Sequence, residues 1–380
     1  MTAQHLTNER AKFVVDDDVA YFNTAALSPM LSTVRAAAHA AVDRRATPWT
    51  ISSGWFDDVE DLRSRVARLL GVAMNNVALV PATSYGLATV ARNLTAKPGD
   101  RVLVLEGEFP SNYYTWQRFA RRTGAELVMV QHEAGQSWAD AIIDAIDERV
   151  VVASLPNVHW TNGRLIDLNR VAPVLRAAGS AFIIDASQSF GAMPLDVATL
   201  QPDAIVAVGY KWLLGPYSLG YLYVDDGLLG GEPLEENWIM RAGSEDFSSL
   251  VDYHDEYRLG AQRFDVGERS NFQLVPMATA AIQQLLEWTV PRIAETLQLR
   301  TNAIAEQATA LGLSASPPEG RGPHLLGVDL PREAARQVAA ALDASRVVVS
   351  ARGSSLRIAP HLHNSQQDID RLMSVIASAL

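Results

Sequence analysis

Between about residue 56 and residue 224, short apolar runs rich in β-branched residues alternate with segments whose apolar positions recur every three or four residues. Phe56, Val59, Leu62, Val66 and Leu69 mark one helix face, and Gly71 supplies its stop. Strands are then expected at 77–80, 101–105, 126–130, 150–155, 182–185, 204–208 and 221–224. Helices are expected between them at 86–94, 112–123 (closed by Gly124), 138–146 and 169–178 (closed by Gly179). Continuous apolar strands separated by helices predict an α/β fold, a mostly parallel seven-stranded sheet covered on both faces.

The rhythm then changes. Residues 225–275 are irregular and charged, and 277–310 reads as a long helix interrupted near Pro291. A strand at 325–328, a helix at 332–342, a hairpin of 347–350 with 356–359 and a closing helix at 367–378 complete a smaller α+β unit. The expected division is an N-terminal segment 1–20, a large domain 21–250 and a small C-terminal domain 251–380.

Composition narrows the function. The 380 residues are 48% hydrophobic and 20% charged, an ordinary globular profile. With 43 acidic and 32 basic residues the net charge is −11, which argues against nucleic acid or an anionic membrane surface as partner. No targeting signal or membrane-length apolar run is visible, so a cytoplasmic enzyme is the expectation. Cysteine is absent, which removes disulfides, cysteine-ligated metals and a cysteine nucleophile. On that ground a desulfurase that forms a cysteine persulfide is expected to be excluded.

Ligands of such sheets bind at the carboxyl ends of the strands. Ala82-Thr83-Ser84-Tyr85-Gly86 follows a strand and opens a helix, and its free N–H groups and hydroxyls suit a phosphate or simply cap the helix. No glycine fingerprint for a dinucleotide or nucleoside triphosphate is present, which disfavours a nicotinamide dehydrogenase. Asp185 ends a buried strand and needs a cation, such as a protonated ring nitrogen, unless it only closes a turn. Lys211, in Gly209-Tyr210-Lys211-Trp212-Leu213-Leu214-Gly215-Pro216, has aromatic and apolar neighbours. Desolvation there would make its amine a Schiff-base nucleophile, whereas a snorkelling lysine would stay at the surface.

Asp185-x-x-Gln188 followed by Gly-Tyr-Lys211-Trp-Leu-x-Gly-Pro resembles the class V aminotransferases, enzymes of pyridoxal 5′-phosphate fold type I that include cysteine desulfurases, kynureninases and isopenicillin N epimerase-like proteins. Residues 21–26 (Tyr-Phe-Asn-Thr-Ala-Ala) and 357–364 (Arg-Ile-Ala-Pro-His-Leu-His-Asn) resemble the family's terminal segments. The resemblance implies that Lys211 holds the cofactor and shuttles protons and that Asp185 pairs with the pyridine nitrogen. It implies that Gln188 and Asn157 approach the phenolic oxygen, that Thr83, Ser84 and Tyr210 hold the phosphate, and that Phe109 stacks on the ring. It assigns Arg357 to the substrate carboxylate beside Asn23 and Ala25. It makes Asn271, within Gly267–Asn271, the residue a partner subunit sends to the phosphate, in a homodimer with active sites at the interface. His159 is a candidate acid–base group beside the cofactor. His361 and His363 form an H-x-H pair without a third ligand, so no metal is expected. The expected activity is transamination or Cβ elimination of the C–S lyase type on an L-α-amino acid. An epimerase of the same family and a non-catalytic binding protein on the same fold are the alternatives.

Overall fold

The computed structural model describes residues 5–52, 54–133 and 135–380. The chain opens with a two-residue strand, Ala20–Tyr21 (β1), and two helices, Ser32–Ala46 (α1) and Trp55–Leu70 (α2). It then alternates strand and helix: Val77–Val80 (β2), Thr83–Asn93 (α3), Arg101–Leu105 (β3), Pro110–Thr123 (α4), Glu126–Val130 (β4), Trp138–Ala145 (α5), Val150–Pro156 (β5), Leu168–Ala178 (α6) and Ala181–Asp185 (β6). A short helix, Val197–Leu200 (α7), precedes Ala204–Val208 (β7) and Gly220–Val224 (β8). All seven expected strands form one sheet in the order β2-β8-β7-β6-β5-β3-β4. Only β8 runs against the others, pairing antiparallel with both β7 and β2.

Alternation along these strands divides the interior into two layers. Leu79, Leu103, Leu105, Leu155, Ile184 and Ile205 face one core. Ala78, Val102, Val104, Val152, Ile183 and Val206 face another, packed by Trp116 and Phe119 of α4. The first core continues into Leu274–Trp288 (α8), whose Val275, Ala278 and Ile282 are buried in it. The expected boundary at 250 thus falls in the irregular stretch between β8 and α8, and the large core resumes beyond it.

The expected break near Pro291 is real. The helix stops at Trp288, Thr289 takes a positive φ of 64°, and Val290–Ala310 (α9) begins. A four-stranded sheet follows, ordered β12-β13-β10-β9 from Ser350–Arg352 (β12), Ser355–Ile358 (β13), Leu326–Asp329 (β10) and Ser314–Ala315 (β9). It is covered by Ala335–Ala344 (α10) and Gln366–Ala379 (α11). The hairpin differs from its expectation. Val347–Val348 (β11) does not pair with the strand at 355–358 but runs parallel to β1, tying the N-terminal segment to the far end of the chain.

One buried ionic cluster fixes the irregular segment against β2. Asp265 accepts from Arg63 Nη2 (2.7 Å) and Nη1 (3.0 Å), from Arg269 and from the Leu79 N–H (2.8 Å). Burial alone would raise the Asp265 pKa, but the two guanidinium groups overcome it and hold the carboxylate ionised.

Candidate active site

The carboxyl ends of β2, β3, β5, β6 and β7 surround a cavity of about 440 Å³, within the range of small-ligand pockets. Helix α3 begins at Thr83, three residues earlier than periodicity suggests, so Thr83 and Ser84 sit in its first turn where N–H groups lack intrahelical acceptors. Gly86 lets that turn lie on the sheet, since a Cβ there would come within 2.2 Å of Val206 Cγ1. Thr83 Oγ1 and Ser187 Oγ share a hydrogen bond of 2.9 Å, which joins the α3 turn to the loop after β6. Gly209 opens the lysine loop, and its bare Cα admits the Leu219 carbonyl, which a Cβ would meet at 2.6 Å.

Lys211 is buried and lines the cavity, and its amine has no hydrogen bond or ion pair among the described residues. Its Nζ lies 5.3 Å from the centre of the Phe109 ring and 5.8 Å from that of Tyr210. Burial lowers the amine to a pKa of about 8; Asp185 opposes this and Arg357 adds to it. Asp185 is buried, and its Oδ1 accepts from the Ser187 N–H (3.0 Å). Burial raises its pKa against the hydrogen bonds of Ser187 and the charge of Lys211. Nothing in Glu106-Gly107-Glu108 marks Glu108 as a site residue from the sequence. Its side chain lines the cavity, with Oε1 accepting from the Phe109 N–H (2.6 Å) and Oε2 buried without a partner. Burial, then the neighbouring Asp185, raise it to about 8.

The other expected residues divide. Gln188 lines the cavity with its amide committed, donating to the Ala25 carbonyl (3.1 Å) and accepting from Trp212 Nε1 (3.0 Å). Tyr210 also lines the cavity, its ring 4.4 Å from that of Tyr217, and its carbonyl accepts from the Ser28 N–H (3.0 Å). Arg357, Asn23 and Ala25 do not themselves line the cavity: Arg357 is 1% exposed, donating to the Trp160 carbonyl (3.1 Å) and to Asn23 Oδ1 (3.3 Å), with Nε unpartnered. Burial, then the charge of Arg352, lower its pKa to about 10. Asn157 and His159 stand behind the wall instead. Asn157 accepts from Ser189 and leaves its Nδ2 without a partner. His159 Nε2 donates to the Glu106 carbonyl (3.3 Å), leaving Nδ1 to the Thr161 hydroxyl (2.7 Å), and its ring stacks on Trp138. With both nitrogens engaged and burial lowering its pKa, His159 is placed as a neutral wall residue and not as a group facing the cavity. Asn271 is exposed and accepts from the N–H groups of Gln273 and Leu274 at the start of α8, away from this cavity. Trp160, next to Asn157 and His159 in the chain, lines the cavity as its place in the sequence leads one to expect, and Ser187 and Tyr217 line it without having been assigned a place there.

His361 and His363 are buried with rings 6.3 Å apart, and among the described residues no group of three metal-ligating side chains occurs. Nor is any described helix long and apolar enough to cross a membrane.

These residues fit pyridoxal phosphate. An anion fits the α3 turn, a cationic ring nitrogen fits the buried Asp185 carboxyl, an aromatic ring fits the Phe109 face, and an aldehyde fits the unpartnered Lys211 amine. The comparisons agree. The Bacillus subtilis protein named uncharacterized aminotransferase YcbU is 27% identical over 323 residues, 85% of this chain and 84% of that one. A cysteine desulfurase of Enterobacter sp. is 26% identical over 281 residues, 72% and 67% of the two chains. The solved complex of the cystine C–S lyase C-DES with its reaction product cysteine persulfide superposes with a TM-score of 0.83 at 19% identity, covering 96% and 98%. Desulfurases among the relatives overturn the exclusion drawn from composition. A protein thiol is one carrier for sulfur, and a persulfide can also be a product in its own right, so missing cysteine is not a criterion. The family model for class V aminotransferases matches residues 24–372, and the chain belongs to that family, with pyridoxal 5′-phosphate as its cofactor on fold type I.

Proposed function

We propose that the chain acts on an L-α-amino acid through Lys211 by elimination at Cβ, breaking a C–S bond. The observation that carries this reading is the buried, unpartnered Lys211 amine between Phe109 and Asp185, with a pKa near neutrality. The likeness to a cystine C–S lyase over nearly the whole of both chains supports elimination as the outcome. Transamination is the second reading, favoured by the aminotransferase name of the Bacillus relative.

Bound on Lys211, pyridoxal phosphate supplies a sink for the electrons left at Cα. The chain's own residues do the rest. Arg357 would grip the α-carboxylate, its forked guanidinium fixing the orientation of the substrate's Cα. Lys211 would hold the cofactor, and its amine, lowered by burial to a pKa of about 8, would take the Cα proton. Asp185 holds a proton at the ring nitrogen. Phe109 and Trp160, packed edge to face at 5.4 Å, keep water from the reacting face. We further take the working form to be a cytoplasmic homodimer in which the exposed Asn271 loop serves the neighbouring subunit.

The test is a screen of amino acids and thioethers on the purified protein, following absorbance, keto-acid release and sulfide or thiol release separately. Sulfide or thiol release with keto acid supports elimination, and keto acid with an aminated cofactor supports transamination. A colourless protein that gains no colour with added pyridoxal phosphate overturns the proposal.

A further inference from the structure

Two guanidinium groups stand behind Trp160, a residue of the cavity wall, and neither has a counterion among the described residues. Arg63 and Arg269, a fully buried pair, share Asp265, as buried charges require, whereas of these two Arg357 is buried and Arg352 half-buried. Arg357 and Arg352 are in no ion pair among the described residues. In the β12–β13 hairpin Arg357 stands opposite Ser350 and Arg352 opposite Ser355. Arg352 is therefore two positions along from Arg357's partner, and the two arginines lie diagonally on one face, about 7–8 Å apart at the backbone. Trp160 connects them to the cavity. Its ring lines the cavity, its indole N–H donates to the Gly107 carbonyl (2.8 Å), and its own carbonyl accepts from Arg357. The Arg352 guanidinium lies 5.3 Å from the Trp160 ring centre, held by one bond to the Ala351 carbonyl (2.8 Å), with Nε buried and unpartnered. The two like charges repel, and no carboxylate among the described residues pairs with either, so an anion with two charged ends is the complementary ligand.

We infer that the substrate is an α-amino acid whose side chain ends in a second anionic group, with Arg357 taking the α-carboxylate and Arg352 the distal anion. This rests on the reading of the cavity as an amino-acid site. Arg352 then determines specificity and takes no part in the bond-breaking step. Trp160 forms the wall between the two anions, and the cation over its face fixes the position of Arg352.

The experiment uses the pyridoxal-phosphate-loaded protein. Binding of L-glutamate against L-glutamine, and of L-aspartate against L-asparagine, is read from the cofactor absorbance. Binding of glutarate, which has two carboxylates and no amine, is read by calorimetry. One charge-assisted contact predicts roughly tenfold or greater preference for at least one acidic member over its amide. R352M keeps apolar bulk on Trp160 and should erase that preference, whereas R352K should restore part of it. Equal weakening of acid and amide by R352M, or no preference in the unaltered protein, overturns the inference. Glutarate binding that depends on Arg352, with no spectral change for any amino acid, sustains the anion subsite and overturns the proposed function instead.

Discussion

Lys211 Nζ faces the Phe109 ring across 5.3 Å, with no carboxylate in ion-pair contact. An amine so placed is held by an aromatic face and a distant Asp185, and burial keeps its proton loosely bound. Reaction of the cofactor-free protein with pyridoxal phosphate should therefore rise with pH through a midpoint near 8, since only the neutral amine attacks. Borohydride should then fix the label on Lys211, and K211A should take none. A midpoint near that of an ordinary lysine, or label on another residue, would remove Lys211 from its assigned place.

Glu108 gives a second, opposite titration. Its folded pKa of about 8 lies above that of a free glutamate, so the folded state holds a proton the unfolded state has lost. Its contribution is complete below about pH 4 and is lost as pH rises through 8, a penalty of roughly 3 kcal/mol at neutrality if fully expressed. E108Q keeps the shape of the neutral acid, so it should raise the urea midpoint at pH 8 and change little at pH 5. Infrared spectra of the cofactor-free protein should lose a protonated-carboxyl band in E108Q. An equal effect at both pH values would mean that Glu108 is ionised throughout.

Gly86 tests the link from packing to cofactor. A methyl at this position meets Val206 Cγ1 at 2.2 Å, so G86A must push the first turn of α3 off β7. We expect a loss of about 1–3 kcal/mol in stability together with weaker pyridoxal phosphate binding, both partly restored by V206A. Stability lost without any change in cofactor affinity would separate the turn from the phosphate.

The buried histidines predict acid lability. His324, His361 and His363 are fully buried, and burial lowers His324 to about 4, His363 to about 3 and His361 well below its usual value. Their neutral forms stabilise the fold above about pH 6.5, and that stability is lost as pH falls, because the unfolded chain takes up protons the folded chain refuses. Each imidazole adds about 1.4 kcal/mol per pH unit to the slope between pH 6 and 4.5. H361Q should therefore flatten the stability profile by one such step in urea titrations. An unchanged slope would show that His361 is charged or hydrated in the native state.

Much of the site was legible because chemistry sits where apolar runs end. Asp185 and Lys211 each follow a continuous hydrophobic strand, and a charged side chain there stands out. Glu108 was hidden because nothing in Glu-Gly-Glu distinguishes the first, solvent-facing carboxylate from the second. His159 lay too close to the pocket in sequence for its direction to be read, since Trp138 and the Glu106 carbonyl turn the ring away. Helix α1 is alanine-rich, with Val34 and Val42 its only larger apolar side chains, and it buries only Val34 and Ala41, so periodicity could not announce it. Two-residue strands such as β1 and β11 carry no period at all, and their pairing is decided by the folded whole.

That pairing has a consequence for how the protein is made. Residues 20–28 bond to the lysine loop through Ser28, to Gln188 through Ala25 and to Arg357 through Asn23, and Ala20 pairs with Val347. The strand at Ala20 must wait for roughly 330 further residues before it has a partner, on the order of 15–60 s of translation. A ribosome-bound chain can complete the seven-stranded sheet and expose Lys211 during that interval, with the cavity wall on the Arg357 side still missing. Cofactor capture and substrate selection would then become available at different moments in the life of the same polypeptide.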